Sequence, residues 1–164
     1  MKLAPFAALA ACSLLVTACA SRPDETPVVQ DTSTGTTTTD TRTTGPVPGS
    51  IADFEQNAGD RVFFGLDRSD LDNASRETLR RQAAWLAQYP GTRILIAGNA
   101  DERGTREYNM ALGERRARSV ERFLSVQGVS PSQMEVVSYG EERPAARGQN
   151  EDAYAQNRRV VFAY

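Results

Sequence analysis

The chain has 164 residues and a formal net charge of −2, enough sequence for one ordinary domain with flanking segments. Its arginines lie between acidic residues rather than in one block, so the composition gives no sign of nucleic-acid binding. There is no histidine, the only lysine is Lys2, and the only cysteines are Cys12 and Cys19. Beyond Cys19 the sequence therefore excludes Ser-His-Asp and Cys-His catalysis, Schiff-base chemistry and His- or Cys-ligated zinc, and we expect no cofactor.

Residues 1–18 have the pattern of a secretory signal peptide, because Lys2 is followed by an apolar run that ends at Val16. The stretches that end in Cys12 and in Cys19 both match the cleavage motif of bacterial lipoproteins. Cleavage before Cys19 uses the whole apolar run and leaves a polar mature end, so we expect the lipid at Cys19. Cleavage before Cys12 and ordinary secretion are the alternatives.

Residues 19–49 are rich in threonine, with aspartate, proline, glycine and serine, and have almost no large apolar side chains. A segment of this composition buries too little surface to offset the entropy lost on ordering. We expect a flexible linker with an end-to-end distance of roughly 30 Å, which reaches about 100 Å when taut. A glycosylated stalk is the alternative.

The folded domain is predicted at residues 50–164. Its packed part is expected to begin near Ile51 and Phe54. Residues 61–64 are apolar or aromatic after Arg61, which predicts the first strand. The segment Gly65-Leu66-Asp67 follows at the end of this strand.

The next segment predicts a helix that begins near Asp72 or Asn73 and stops at Pro90. Its apolar positions have helical spacing: Leu79, Ala83 and Leu86. Trp85 lies beside this stripe, and we expect it at the edge of the core. A platform for a ligand is the alternative interpretation of Trp85.

Residues 94–97 are a continuous apolar run with branched side chains, which predicts a buried strand. A polar turn that contains Asn99 and Asp101 follows. From Thr105 the apolar spacing changes to that of a helix, which is expected to end at Gly128. The predicted core stripe of this helix is Met110, Gly113, Ala117, Val120 and Leu124.

Three residues flank that stripe on one helix edge, because Asn109, Leu112 and Arg116 are three and four positions apart. Asp101 leaves the preceding strand just before the helix begins, and such a strand end is a usual place for a ligand crevice. A carboxylate and a guanidinium close together could hold a ligand that carries both an ammonium and a carboxylate. An internal Asp101–Arg116 salt bridge is the alternative.

The C-terminal part predicts a strand at residues 134–139, a short helical turn at residues 150–156 and a last strand at residues 158–164. Arg158 and Arg159 are expected to pack against acidic residues at the sheet edge. The order of elements is strand, helix, strand, helix, strand, strand. Two strand–helix–strand crossovers predict an α/β sandwich with parallel or mixed pairing.

Several separated motifs resemble the peptidoglycan-associated lipoprotein family within the OmpA-like domains, over roughly residues 50–164. The resemblance implies a β-α-β-α-β-β order with a mixed sheet and helices packed on one face. The motifs that carry it are Gly98-Asn-Ala-Asp-Glu-Arg-Gly-Thr105, Tyr108-Asn109, Leu112-Gly-Glu-Arg-Arg-Ala117, Arg61-Val-Phe-Phe-Gly-Leu-Asp67, Val137-Ser-Tyr-Gly-Glu-Glu-Arg-Pro144 and Asn157-Arg-Arg-Val160.

By this resemblance the ligand is peptidoglycan, recognised through the diaminopimelate of its stem peptide. Asp101 would accept hydrogen bonds from the ammonium of that residue, and Arg116 would bind its carboxylate with a fork of two N–H groups. Removing either side chain is expected to abolish wall binding and leave the fold intact. Asn99 stands where many relatives have histidine, and we expect little loss from this exchange.

The resemblance also implies that Asn109 orients the loop or the ligand and that Leu112 forms an apolar wall. Leu66 and Asp67 would close the other side of the pocket. Leu66 stands where many relatives have phenylalanine, and Gly65 stands where many have aspartate, so this wall is expected to be weaker. A simple turn residue is the alternative interpretation of Asp67.

The implied function is a non-covalent link between the cell wall and the outer membrane, which the Cys19 lipid would reach from the periplasmic side. The resemblance also implies the Tol-system proteins TolB and TolA as partners, with roles in envelope integrity and cell division. A Tol-interaction module with secondary wall binding is the alternative. An enzyme that cleaves the wall with Asp101 and Glu102 is not expected, because neighbouring residues on one turn seldom present opposed carboxylates.

Overall fold

The computed structural model describes residues 45–164. The predicted signal peptide, the predicted lipid site at Cys19 with its alternative at Cys12, and most of the predicted linker lie outside the described residues. The elements in chain order are α1 (Ile51–Asn57), β1 (Arg61–Phe63), α2 (Asn73–Gln88), β2 (Ile94–Asn99), α3 (Arg106–Val126), a 3₁₀ turn (Pro131–Gln133), β3 (Met134–Gly140), α4 (Glu151–Asn157) and β4 (Arg159–Ala163).

The four strands form one mixed sheet in the order β1-β4-β2-β3. The last strand, β4, is antiparallel to both β1 and β2, whereas β2 and β3 pair in parallel. The end of the chain therefore lies in the middle of the sheet and separates β1 from β2. The predicted α/β class, strand order along the chain and mixed pairing are confirmed.

The core lies between the helices and one face of the sheet. Alternate residues of each strand point to this face. They include two cross-strand pairs, Ile96 with Phe162 and Val62 with Val160. These side chains pack with buried residues of α2 and α3: Leu79, Ala83, Leu86, Ala117, Val120 and Leu124. The other face is more open, since Phe63 is 48% exposed. The predicted packing of helices on one face is confirmed.

Helix α1 was not predicted from the sequence. Ser50 caps it by accepting a hydrogen bond from the backbone N–H of Asp53 at 3.2 Å. Phe54 is fully buried, and its ring centroid lies 5.0 Å from that of Trp85 in an edge-to-face arrangement. The indole N–H of Trp85 donates to Asp53 at 2.8 Å. Trp85 therefore belongs to the core and satisfies its polar atom there, whereas Ile51 is half exposed.

Helix α3 lies directly against β2, with no side chain between the two backbones at Gly98. A Cβ atom at Gly98 would lie 1.9 Å from the carbonyl oxygen of Gly113, and one at Gly113 would lie 2.3 Å from Oγ of Ser138. Both distances are far below van der Waals contact, so only glycine fits at these two positions. The close approach brings the first turns of α3 beside the end of β2.

Within residues 45–164, no helix combines the length and the apolar character that a membrane span requires.

Candidate functional site

A cavity of about 330 Å³ opens where β2 ends and α3 begins. All six residues that the sequence analysis assigned to the pocket line it, together with three that it did not assign. The lining residues are Leu66, Asp67, Asp101, Arg103, Gly104, Tyr108, Asn109, Leu112 and Arg116.

Asp101 lies just beyond the end of β2 and is 5% exposed. Its Oδ1 accepts from the backbone N–H and Nε of Arg103, both at 3.2 Å. Its Oδ2 accepts from Nη2 of Arg103 at 2.7 Å and from Nη1 of Arg158 at 3.2 Å. A carboxylate has about four lone-pair positions, so these four donors saturate it.

Two opposing effects act on the ionisation of Asp101. Burial alone would raise its pKa, but the hydrogen bonds from Arg103 and Arg158 outweigh burial and hold the pKa below the ordinary value. The side chain is therefore a carboxylate at neutral pH.

Arg116 is fully buried, which is unusual for arginine. Its guanidinium donates only to backbone carbonyls: from Nε to Arg68 at 2.8 Å, from Nη1 to Asn99 at 2.8 Å and from Nη2 to Gly65 at 3.0 Å. These bonds join the loop after β1 to the end of β2. Burial lowers the pKa of Arg116 to about 10, so the group remains cationic at neutral pH.

Arg116 keeps donors that are not used within residues 45–164. Guanidinium has five N–H groups, and three are engaged, which leaves one on each terminal nitrogen. Two such N–H groups, one on each terminal nitrogen, are what a carboxylate takes in a bidentate contact.

The predicted alternative of an internal Asp101–Arg116 salt bridge does not form. The ion pairs of Asp101 within residues 45–164 are with Arg103 and Arg158. The cavity wall thus carries a buried anion and a buried cation, each held by other groups and neither neutralising the other directly.

Arg103 and Arg158 are the hydrogen-bond partners of Asp101 that the sequence analysis did not assign. The guanidinium of Arg103 lies 4.4 Å from the ring centroid of Tyr154 and 3.4 Å from Glu151. Arg158 donates to the same Glu151 at 2.7 Å. Arg103 was visible in the turn motif beside Asp101, but the contact of Arg158 depends on the central position of β4.

The arginine pair where β4 begins lies near acidic residues as expected, but not at a sheet edge, because β4 lies between β1 and β2. Arg158 contacts Asp101 and Glu151. Arg159 interacts with the charge of Asp60 without forming an ion pair within residues 45–164, and its hydrogen bond in this part of the chain goes to the backbone carbonyl of Arg143 at 3.2 Å.

The loop after β1 forms the outer wall of the cavity. Leu66 is 56% exposed and Asp67 has a positive φ of 55°, which only a turn position tolerates. The hydroxyl of Tyr108 donates a hydrogen bond to the carboxylate of Asp67. Asp67 is thus both a turn residue and a lining residue, so the two interpretations of it are compatible.

Asn109 and Leu112 form the helical wall and are nearly inaccessible to solvent. Nδ2 of Asn109 donates to the carbonyl of Arg103 at 3.1 Å and to the carboxylate of Glu141. Asn109 therefore holds the loop that carries Arg103, while Leu112 supplies the apolar surface.

Within residues 45–164, no group of three or more His, Cys, Asp or Glu side chains is placed to hold a metal ion. Glu102, next to Asp101, is exposed and accepts from the hydroxyl of Tyr154 at 3.3 Å.

The known proteins that are similar to this chain match it within the folded domain. The profile of the OmpA family matches residues 63–158. A peptidoglycan-associated lipoprotein of Agrobacterium fabrum is 50% identical over 114 residues, which cover 70% of this chain and 64% of that protein. A protein of the same name from Pseudomonas putida is 52% identical over 118 residues, covering 71% and 70%. The crystal structure of the peptidoglycan-associated lipoprotein from Burkholderia pseudomallei superimposes with a TM-score of 0.63 at 46% identity, covering 64% of this chain and 89% of that one.

Proposed function

The chain belongs to the OmpA family and, within it, to the peptidoglycan-associated lipoproteins, and we propose that it binds the cell wall through the cavity beside Asp101 and Arg116. It is a binding protein and not an enzyme. One observation carries the assignment of the site. A buried carboxylate and a buried guanidinium, both charged and not paired with each other, line one cavity.

The ligand that fits these charges is the free end of diaminopimelate in the stem peptide, where one carbon carries an ammonium and a carboxylate. The two unused N–H groups of Arg116 take the carboxylate. The carboxylate of Asp101 takes the ammonium, and Leu112 contacts the methylene chain. Charge-assisted hydrogen bonds of about 1.5–3 kcal/mol each give micromolar-range affinity once association costs are subtracted.

Binding of the ammonium requires an exchange at Asp101, because its lone-pair positions are all occupied. Arg158 is buried, with 8% of its side chain exposed, whereas 38% of the Arg103 side chain is exposed. Arg103 is therefore the donor that leaves. The guanidinium of Arg103 can keep its contacts with Glu151 and Tyr154 after it leaves Asp101.

Sedimentation with purified sacculi tests this function on the full chain in detergent. We expect the protein to sediment with walls that contain diaminopimelate and to be released by the free stem tripeptide. The variant Arg103→Gln should bind about three to ten times more tightly, because its side chain competes less well for Asp101.

Arg80→Gln, an exposed change on α2 that breaks one surface ion pair, is the matched control and should bind as the native chain does. Weaker binding by Arg103→Gln would show that Arg103 contacts the ligand and is not displaced by it. A native chain that stays in solution would reject the function itself.

We further propose that the Cys19 lipid holds the chain in the outer membrane and that residues 19–49 let the domain reach the wall. Stable anchoring needs more than one acyl chain, and repeated sites on the wall polymer make modest affinity sufficient. The mass of the mature N-terminus distinguishes Cys19 from Cys12.

TolA and TolB remain proposed partners. A partner that contacts the exposed side chains of Leu66 and Tyr108 at the cavity rim would compete with the wall peptide.

A further inference from the structure

A second cavity, of about 360 Å³, adjoins the proposed diaminopimelate pocket along α3. The loop after β1 and helix α3 wall both cavities: Leu66 and Tyr108 line the first, while Ser69 and Arg122 line the second. Because the same loop and the same helix line both cavities, we refer to the two cavities together as one groove with two parts. The lining of the second part is Ser69, Ala111, Glu114, Arg115, Arg118, Ser119 and Arg122.

Arg115 stands at the border between the two parts of this groove. Its guanidinium lies 5.6 Å from the ring centroid of Tyr108, a residue that lines the first part. Arg115 is exposed and, within residues 45–164, has neither an ion pair nor a hydrogen bond through its side chain.

The other charges in this part of the groove are already engaged. Arg118 pairs with Glu114 at 3.7 Å and with Glu121 at 3.1 Å, and Arg122 donates to Ser119 at 3.0 Å. Among the arginines of this part of the groove, Arg115 is therefore the one whose side chain has neither a hydrogen bond nor an ion pair within residues 45–164.

We propose that Arg115 binds a second carboxylate of the wall peptide, that of the γ-linked D-glutamate which precedes diaminopimelate. This inference rests on the proposed function, because the first cavity must hold the diaminopimelate end. The groove leads the peptide from Arg116 toward Arg115. A free α-carboxylate on the glutamate forms an ion pair with the guanidinium of Arg115. An amidated glutamate carries no charge there and forms no ion pair.

The length of the ligand agrees with this placement. The glutamate carboxylate lies about ten bonds from the zwitterionic carbon, roughly 12 Å when extended at the ~3.5 Å that three chain bonds span. The guanidinium of Arg115 lies 5.6 Å from the ring centroid of Tyr108, which lines the cavity that holds the zwitterionic end. A ligand of this length therefore reaches from the first cavity past Tyr108 to Arg115.

Calorimetric titration of the full chain in detergent with two synthetic tripeptides tests the inference. Both contain L-alanine, γ-linked D-glutamate and meso-diaminopimelate, and they differ only in whether the glutamate carboxylate is free or amidated. The native chain should bind the free acid about three to five times more tightly, as expected for an exposed ion pair. Arg115→Gln should bind both peptides equally and match the native chain on the amidated one.

Arg81→Gln is the control. Within residues 45–164, Arg81 lies on α2 and its side chain hydrogen-bonds to Thr78 of the same helix. This variant should keep the preference of the native chain for the free acid. Equal binding of the two peptides by the native chain, or a preserved preference in Arg115→Gln, would overturn the inference and leave the first pocket intact. Absence of binding by either peptide would reject the proposed function together with this subsite.

Discussion

Replacing Arg116 with alanine is expected to lower the free energy of unfolding by about 3 kcal/mol, because three backbone carbonyls lose their donor and a buried volume is left empty. Two of these carbonyls belong to the loop after β1 and the third ends β2, so the outer wall of the site should loosen as well. Urea denaturation followed by circular dichroism measures the change.

The neighbouring residue gives the matched control for this prediction. Arg115 has the same side chain one position along α3, but it is exposed and unpaired within the described residues. Arg115→Ala should change the unfolding free energy by less than about 0.5 kcal/mol. If the two variants unfold at the same urea concentration, the buried guanidinium does not hold the loop.

The hydrogen bonds of Arg116 thus lead us to expect a weakened fold in Arg116→Ala, whereas the sequence alone led us to expect lost wall binding with the fold intact. The sequence shows an arginine on a helix edge, but it cannot show that the acceptors of that arginine are backbone carbonyls. Loss of binding by Arg116→Ala would therefore mix two causes, and Asp101 gives the cleaner test of recognition.

Asp101→Asn is expected to weaken binding to sacculi by about 30-fold, because the ligand ammonium loses its charged acceptor. The change keeps the shape of the side chain. Arg158 retains its contact with Glu151 at 2.7 Å and its bond to the carbonyl of Phe64 at 3.1 Å, so the domain should remain folded. Sedimentation with sacculi and thermal unfolding of the same sample measure both properties.

Glu102→Gln makes the same change of charge one residue away, on an exposed side chain. It should leave binding unchanged. Equal losses in the two variants would indicate a general effect of charge on wall association and would remove Asp101 from its proposed role.

The sequence predicted the central elements well because their local patterns agree with their packing. The apolar run that became β2 is buried apart from the half-buried Leu95, and the stripe of α3 from Gly113 to Leu124 faces the core. The cap at Asp72 was also predicted, since an aspartate there can accept from the backbone N–H three residues on, as it does from Ser75.

The missed features depend on contacts between distant parts of the chain. Helix α1 has only seven residues, and its stability comes from Asp53 and Phe54 meeting Trp85. Arg158 reaches Asp101 because β4 enters the sheet between β1 and β2. No local pattern specifies that insertion, so the saturation of Asp101 could not be foreseen from its neighbours in sequence.

The central claim is that one cavity recognises the ammonium and the carboxylate of diaminopimelate together. The most direct test is a calorimetric comparison of two stem tripeptides that differ only in their third residue, meso-diaminopimelate or lysine. Lysine keeps the ammonium and lacks the second carboxylate, so Arg116 has nothing to bind. Micromolar-range binding of the first peptide and at least tenfold weaker binding of the second is the expected result, and equal affinities would contradict the account.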